Sequence, residues 1–509
     1  RLGARVMYNR FSSGGYDLSP DLRGLTGPEF ADNAVSGRLV FNQSERTEWH
    51  VNARYARQDQ NNARGLFQNG TQVVFDEDAE RIDWHLSPRI SHRFQSGLKM
   101  TGRFHMTGFE TAALLIDQLD PSNTTGTTNF KQTYQKAEVQ MDDVVGTQHI
   151  LTGGAGYIGE RVEADRVSSG ERTTTNVFAF FQHQWLPGGK IDLITSARLD
   201  IHSDYGQRLS PNVAILFTPQ QGLRLNASVG SGFKAPTFQQ LYMDFTNPVG
   251  NYSVLGSVDI REAIDALQTT GQIQYFLTDP EALEVARPET AVAFQAGVGF
   301  DVGEQLSVGV GAFGSNVSDL IETLPVAVRS SGQSIFTYEN LSEVYTQGFT
   351  VEARYAPIRQ LRFTLGYQFL DSADKDVRQN VADGNVFRRV DGRDQRVSLG
   401  DYGGLFNRSR HSGTFRVTYM HPELNTTLSL RGVYRGKYGF GDLNGNLILD
   451  ADNEYVDGYM LWNATLTQPL GEDVEAQFGV KNGFDELNPD FIPSLSGRLL
   501  FIGIRCMFN

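Results

Sequence analysis

The sequence contains one cysteine and no long apolar run. The single cysteine, Cys506, excludes an intramolecular disulfide and any zinc site built from several cysteines. No window approaches the roughly 18 consecutive apolar residues that a membrane-spanning helix requires. Positive charge is also in short supply: the 509 residues carry a net charge of −14, which argues against a nucleic-acid partner.

Apolar and polar residues alternate with a period of two along much of the sequence. In "LRLNASVG", Leu223, Leu225 and Val229 fall on one face and Arg224 and Asn226 on the other. About twenty segments alternate in this way along the chain. The mean hydropathy of −0.34 is that of a soluble protein, but transmembrane β-barrels share it because lipid-facing and lumen-facing residues alternate.

The connections between these segments alternate in length. Short turns such as "LPGGK" and "DVGEQ" alternate with long polar stretches, which include 61–78, 114–128, 234–287, 374–408 and 439–455. An outer-membrane barrel has this organisation, with turns on the periplasmic side and loops outside. We therefore predict an all-β fold, a large antiparallel transmembrane β-barrel in the outer membrane of a Gram-negative bacterium.

Five segments, in order along the chain, resemble sequence blocks of the TonB-dependent outer-membrane receptor family. They are "GSGFKAPTFQQLY" (230–242), "ARPET" (286–290), "SNVSDLIE" (315–322), "YENLSEVYTQGFTVEARY" (338–355) and "VKNGFDELNPDF" (480–491). The first 200 residues resemble the family mainly in the rhythm of their strands and loops.

The resemblance implies 22 strands and an N-terminal plug domain that carries the energy-coupling box. We count about 20 of these strands and find no plug. We therefore expect residues 1–509 to form the barrel domain of a longer receptor, beginning near its third strand, without the plug and the first hairpin. A plugless pore of twenty strands is the alternative.

The function implied by the resemblance is active uptake of a scarce, bulky nutrient, either a ferric siderophore or a cobalamin-type complex. The implied partners are outer-membrane lipid, this metal-chelate or corrinoid ligand, and the TonB system, which acts through the plug. We expect a monomer that requires no cofactor and is not an enzyme, since the sequence has no GxSxG, HExxH or phosphate-binding motif. A passive, substrate-specific channel is the main alternative, and a barrel adhesin or barrel enzyme is a further one.

The family block at 230–242 also suggests a binding site. Pro236 cannot donate to a strand ladder and ends the strand before it, so the loop that follows is expected to reach toward the ligand. The alternative is an aromatic girdle at the membrane interface without ligand contact. The candidate ligand-binding residues are Phe233, Lys234, Phe238, Gln239, Tyr242 and Phe245.

The stretch 441–459 resembles an oxygen-ligand calcium loop in its spacing. Four residues stand at offsets 1, 3, 5 and 9, namely Asp442, Asn444, Asn446 and Asp450. Leu447 replaces the turn glycine and Asn453 replaces the bidentate glutamate. A solvated acidic loop without calcium is the alternative.

Arginines on the polar side of alternating segments are expected to line the lumen, since each would cost about 2–4 kcal/mol at the lipid midplane. These residues are Arg224, Arg416, Arg431 and Arg435, and we expect them to face the plug or anionic ligands. The nine histidines do not cluster at metal-ligand spacing, which argues against a haem receptor.

Overall fold

The structure, a computed structural model, is dominated by antiparallel β-strands. It describes residues 1–18, 24–68, 71–118, 124–168, 170–247, 252–390, 392–441 and 448–506. None of the helices in the described part of the chain has the length and apolarity that a membrane crossing would require.

The strands follow one another in chain order with few interruptions. Their bounds are β1 Leu2–Ser13, β2 Glu29–Asn42, β3 Thr47–Gln68, β4 Thr71–Arg93, β5 Lys99–Asp117, β6 Thr124–Val145, β7 His149–Ala164, β8 Glu171–Trp185, β9 Ile191–His202, β10 Gly206–Gln220, β11 Leu223–Lys234, β12 Asp244–Asn247, β13 Tyr252–Leu255, β14 Ile273–Phe276, β15 Glu289–Val302, β16 Leu306–Arg329, β17 Ser334–Ile358, β18 Leu361–Asp374, β19 Phe387–Val390, β20 Arg393–Arg396, β21 His411–Met420, β22 Thr427–Arg435, β23 Tyr438–Gly439, β24 Tyr455–Val456, β25 Tyr459–Pro469, β26 Val474–Lys481 and β27 Leu499–Cys506.

The helices are short and lie in the connections. The α-helices are α1 Phe238–Tyr242, α2 Ile260–Thr269 and α3 Lys375–Asp383, and the 3₁₀ turns are Pro187–Gly189, Pro280–Ala282 and Asp452–Glu454. The main sheet has 23 strands, of which β12, β13 and β14 belong to one connection. The remaining 20 form an antiparallel wall, which confirms the predicted fold class and strand number.

The pairing register places the alternating residues on two distinct faces. Leu225 pairs with Phe217 and Val229 with Val213, so that apolar side chains of β10 and β11 share one face. Leu225 is 38% exposed and Val229 50% exposed. A continuous apolar and exposed face must meet hydrocarbon, and the polar face of the same strands therefore lines the lumen.

The lumen face has its own packing, built from ion pairs and aromatic rings. Arg103 Nη1 lies 2.8 Å from Glu138 Oε1, and Arg198 Nη2 lies 2.6 Å from the buried Asp200 Oδ1. The Arg198 guanidinium also covers the ring of Phe178, at 3.8 Å from its centroid, and Phe178 is 1% exposed. The Arg103–Glu138 and Arg198–Phe178 contacts are cross-strand pairs, which hold neighbouring polar strand faces together.

Three pairs of strands are much longer than a membrane crossing requires. β3 and β4 have 22 and 23 residues, β5 and β6 have 19 and 22, and β16 and β17 have 24 and 25, against about 9–11 for a transmembrane strand. The prediction that 61–78 and 114–128 are loops is therefore wrong for most of these residues. Polar residues continue the ladder there, as where Asn61 pairs with Asp78, because both faces of the hairpin are hydrated.

The first and last strands of the wall are edges. In the described residues β1 pairs only with β2 and β27 only with β26. Val6 is 78% exposed and Leu500 74% exposed, while a hydrogen bond of 3.0 Å from Tyr16 Oη to Pro493 O joins the neighbouring connections. The additional hairpin that we predicted would pair with the unpaired backbone groups of both edges. This hairpin stays a prediction.

A glycine on the lumen face provides a test of this packing. A Cβ at Gly156 would lie 2.5 Å from both the Ala137 O and the Phe178 Cζ, whereas a Cβ at Gly309 would meet nothing within 4 Å. We expect Gly156→Ala to destabilise the barrel by about 1–3 kcal/mol through overpacking. Gly309→Ala, the matched control, should leave the midpoint of denaturant unfolding in detergent unchanged. Equal midpoints for the two variants would contradict this packing.

Candidate ligand-binding site

The candidate site begins where β11 ends, at Lys234. Pro236 follows, and Thr237 then caps α1: its side chain accepts a hydrogen bond from Gln240 N, and the Gln240 side chain accepts one from Thr237 N. This reciprocal capping box satisfies donors that a short helix would otherwise leave unpaired. The chain therefore turns sharply out of the wall, as predicted from Pro236.

The segment that follows is a folded unit, which we call the cap (residues 235–247 and 252–288). β12 pairs with β13, β13 runs parallel to the start of β17, and β14 pairs with the end of β16. α2 buries Ile260 and Ile264 in a cluster with Leu283, Val326 and Ile335. Because two of these five residues belong to the long strands β16 and β17, the extended wall holds the cap in place.

A second contact fixes α1 to the connection between β7 and β8. Phe238 and Tyr242 pack against a cluster that includes Val162 and Val167. The guanidinium of Arg172 lies 4.5 Å from the centroid of the Tyr242 ring. Burial raises the pKa of the Tyr242 hydroxyl above its usual value.

The structure brings most of the six predicted ligand-binding residues into the cap or its base. Lys234 Nζ forms an ion pair of 2.9 Å with the buried Glu289 Oε1, and Gln239 Nε2 donates to Tyr338 Oη over 2.9 Å. Phe245 stacks under Arg166, whose guanidinium is 4.2 Å from the ring centroid.

Phe233 is separated from this group. It lies on the apolar face of β11 with Leu225 and Val229, and its ring packs edge-on against Tyr205 at 5.8 Å. Lys234 therefore points to the opposite face of the same strand. Phe233 occupies the position of an interface aromatic, while Gln239 remains exposed in the cap.

The second long connection is also folded in its described residues, 375–390 and 392–410. Asp374 caps α3, and Val381 packs with Ala373, Val397 and Tyr402. Tyr402 accepts a hydrogen bond from Asp374 N at 3.2 Å, and burial raises its pKa to about 12.

Three of the four predicted calcium ligands, Asp442, Asn444 and Asn446, lie outside the described residues. Asp450 is buried, and its backbone N donates to Glu454 Oε2 over 2.8 Å. The described part of the chain contains no group of three or more His, Cys, Asp or Glu side chains suited to a metal ion. The calcium loop stays a prediction.

The predicted lumen arginines differ in their surroundings. Arg224 forms an ion pair with Asp301, and Arg435 lies 3.6 Å from the ring centroid of Tyr438. Arg416 and Arg431 occupy directly opposed positions on β21 and β22.

Sequence reasoning missed several residues that belong to the same surfaces. Arg354 and Arg362 lie on the polar faces of their strands, and the alternation that selected Arg416 would have selected them too. Tyr338 and Arg172 contact the cap from distant parts of the chain, and no local pattern indicates these contacts.

The family is established by sequence. The family model described as "TonB dependent receptor-like, beta-barrel" matches residues 4–482. The chain therefore belongs to the TonB-dependent receptor family, whose members are transport receptors of the bacterial outer membrane. This confirms the predicted family, location and barrel fold. A search of curated proteins found no match.

Solved structures share the fold at low sequence identity. The siderophore receptor PirA from Pseudomonas aeruginosa has 13% identity and a TM-score of 0.62, with 100% of this chain and 80% of that chain covered. A mutant ferric enterobactin receptor (PfeA) from the same organism has 14% identity and a TM-score of 0.69, with 95% and 70% covered. The FrpB iron transporter from Neisseria meningitidis has 13% identity and a TM-score of 0.66, with 99% and 76% covered.

Proposed function

We propose that this receptor imports a ferric siderophore across the outer membrane in a TonB-dependent reaction. Family membership supports this, as do the names of the three similar structures: a siderophore receptor, a ferric enterobactin receptor and an iron transporter. Import of an intact chelate needs no bond chemistry, only different affinities in different conformations of the receptor. A cobalamin-type complex is the alternative ligand.

Within the chain itself, the folded cap is the observation that supports this proposal. Its contacts with β16, β17 and the β7–β8 connection order it before any ligand arrives. A preordered surface loses less conformational entropy on binding than a free loop does. We propose that ligand contacts come from five of the six residues predicted from sequence, Lys234, Phe238, Gln239, Tyr242 and Phe245, because Phe233 lies on the apolar face of β11.

The partners follow from the same proposal. The TonB system would act through a plug segment that is not among these 509 residues. Outer-membrane lipid surrounds the apolar face of the wall, and the receptor would act as a monomer.

The exposed amide of Gln239 allows a direct test of the cap. We expect Gln239→Ala to raise the KM for uptake of radiolabelled ferric enterobactin by roughly twofold to tenfold, the effect of one lost hydrogen bond. Gln221→Ala is the matched control, since Gln221 lies in the short turn at the opposite end of the wall. Its KM should equal that of the wild type.

Two results would count against the proposal. If both glutamine variants transport like the wild type, the cap residues do not contact this ligand. If uptake in the wild type persists after collapse of the proton-motive force, a passive channel replaces the TonB-dependent reaction.

We also propose that residues 441–459 bind calcium. The double substitution Asp442→Ala and Asp450→Ala should remove the calcium dependence of ligand affinity, because it deletes two of the four proposed oxygen ligands. The measurement compares ligand affinity with calcium and with chelator, in the wild type and the variant. Wild-type affinity and loop stability that do not change on chelation would contradict the calcium loop.

A further inference from the structure

The outer surface of the wall contains a cavity of about 520 Å³ between β4 and β7, which we call the outer cavity. Its volume is within the range of about 300–1,000 Å³ that is typical of small-ligand sites. Each of the strands β4, β5, β6 and β7 pairs with a neighbour on both sides, so no open edge of the wall borders the cavity. Its polar lining residues are Glu80, Glu110, Asn129, Lys131, Glu163 and Asp165.

The side chains that line the outer cavity are on the lipid side of the wall. Glu110 shares a face of β5 with the exposed Phe104, and the lumen residue Arg103 lies on the opposite face. Glu163 likewise shares a face of β7 with the exposed Tyr157. The cavity therefore continues the face that meets lipid, and a plug inside the lumen cannot cover it.

The height of the outer cavity distinguishes between classes of lipid. Glu110 is six residues beyond Phe104 on β5, in the direction away from the short turns. Glu163 is likewise six residues beyond Tyr157 on β7. At about 3.4 Å per residue and a strand tilt of about 35–45°, six residues rise about 15 Å along the membrane normal. The headgroups of a phospholipid leaflet are only about 5–8 Å deep, so only a lipid with an extended headgroup reaches the cavity.

The lining combines several hydrogen-bond acceptors with one ammonium group. Lys131 Nζ lies 3.2 Å from Glu110 Oε1, and both side chains remain about half exposed. The backbone N and the Nδ2 of Asn129 donate to Asp165 Oδ2 over 2.8 and 3.1 Å, which orders this part of the lining. Carboxylate oxygens accept hydrogen bonds from hydroxyl groups, and ammonium groups donate hydrogen bonds to them.

A molecule rich in neutral hydroxyl groups fits this lining better than other ligands do. Four carboxylates line the cavity, and they repel a free anion. An acyl chain would leave these polar groups buried without hydrogen bonds. The described residues contain no group of three or more His, Cys, Asp or Glu side chains that could hold a metal ion. A saccharide presents many neutral hydroxyl groups, and the headgroup of a glycolipid brings a saccharide to this height.

We propose that the outer cavity binds a saccharide unit of a glycolipid in the outer leaflet. In the ladder Glu110 is opposite Lys131 and Lys131 is opposite Glu163, so the three side chains form a row across β5, β6 and β7. Arg161 Nη2 lies 2.8 Å from Glu163 Oε1 and holds the end of this row. Glu110 and Glu163 accept hydrogen bonds from sugar hydroxyls, and Lys131 donates to them. The site is separate from the cap and does not depend on which nutrient the receptor imports.

The test is native mass spectrometry of the purified protein in neutral detergent, with lipopolysaccharide that has a complete core saccharide as the probe. Lipid A is the comparison, because it has the same acyl chains and lacks the core sugars. We expect the saccharide-bearing lipid to bind at least about tenfold more tightly than lipid A, and phosphatidylglycerol to bind no more tightly than lipid A. Glu110→Ala with Glu163→Ala should weaken binding of the saccharide-bearing lipid by at least about tenfold and leave binding of lipid A unchanged.

The matched control is Glu262→Ala with Asp265→Ala, which removes the same charge from exposed positions of α2 in the cap. Its affinity for the saccharide-bearing lipid should stay within about twofold of the wild type. Equal weakening in this control would overturn the proposal, as would equal binding of the two lipids by the wild type or equal loss of both by the cavity variant. A dimer that only the cavity variant abolishes would also overturn it, because a second copy of the chain would then occupy the cavity.

Discussion

Backbone pairing in the absence of water is the constraint on which this structure depends. In hydrocarbon each unpaired N–H or C=O group costs several kcal/mol, so each spanning strand must pair on both sides. The antiparallel wall meets this requirement along its length, and the alternating side chains then divide into a lipid face and a lumen face. The exposed edges β1 and β27 show where the constraint is still unmet among the described residues.

The wall could be predicted from sequence because one constraint acts on every strand. Leu223, Leu225 and Val229 alternate with polar residues since one face meets lipid and the other meets water. The extensions of β3 to β6 were not predicted, because the membrane requires alternation of apolar and polar residues only within its own thickness. Beyond it both faces are hydrated, and pairs such as Asn61 with Asp78 continue the ladder without any alternation of polarity.

The binding residues were harder to predict because their surroundings come from distant segments. Pro236 marked the end of β11, but no local pattern indicated that α1 would pack on Val162 and Arg172 or that Gln239 would meet Tyr338. The surroundings of the lumen arginines also come from distant segments. Arg224 finds Asp301, 77 residues away, whereas Arg416 faces another arginine, and only the strand register distinguishes these two cases.

The preordered cap gives this barrel a folded surface beyond the wall, held in place by β16 and β17. Its central function can be tested by measuring the abundance of the protein in outer membranes under iron starvation, with cobalamin depletion in parallel. A ferric-siderophore receptor should be strongly induced by iron starvation alone. Induction by cobalamin depletion without any response to iron would contradict this account and indicate a corrinoid receptor.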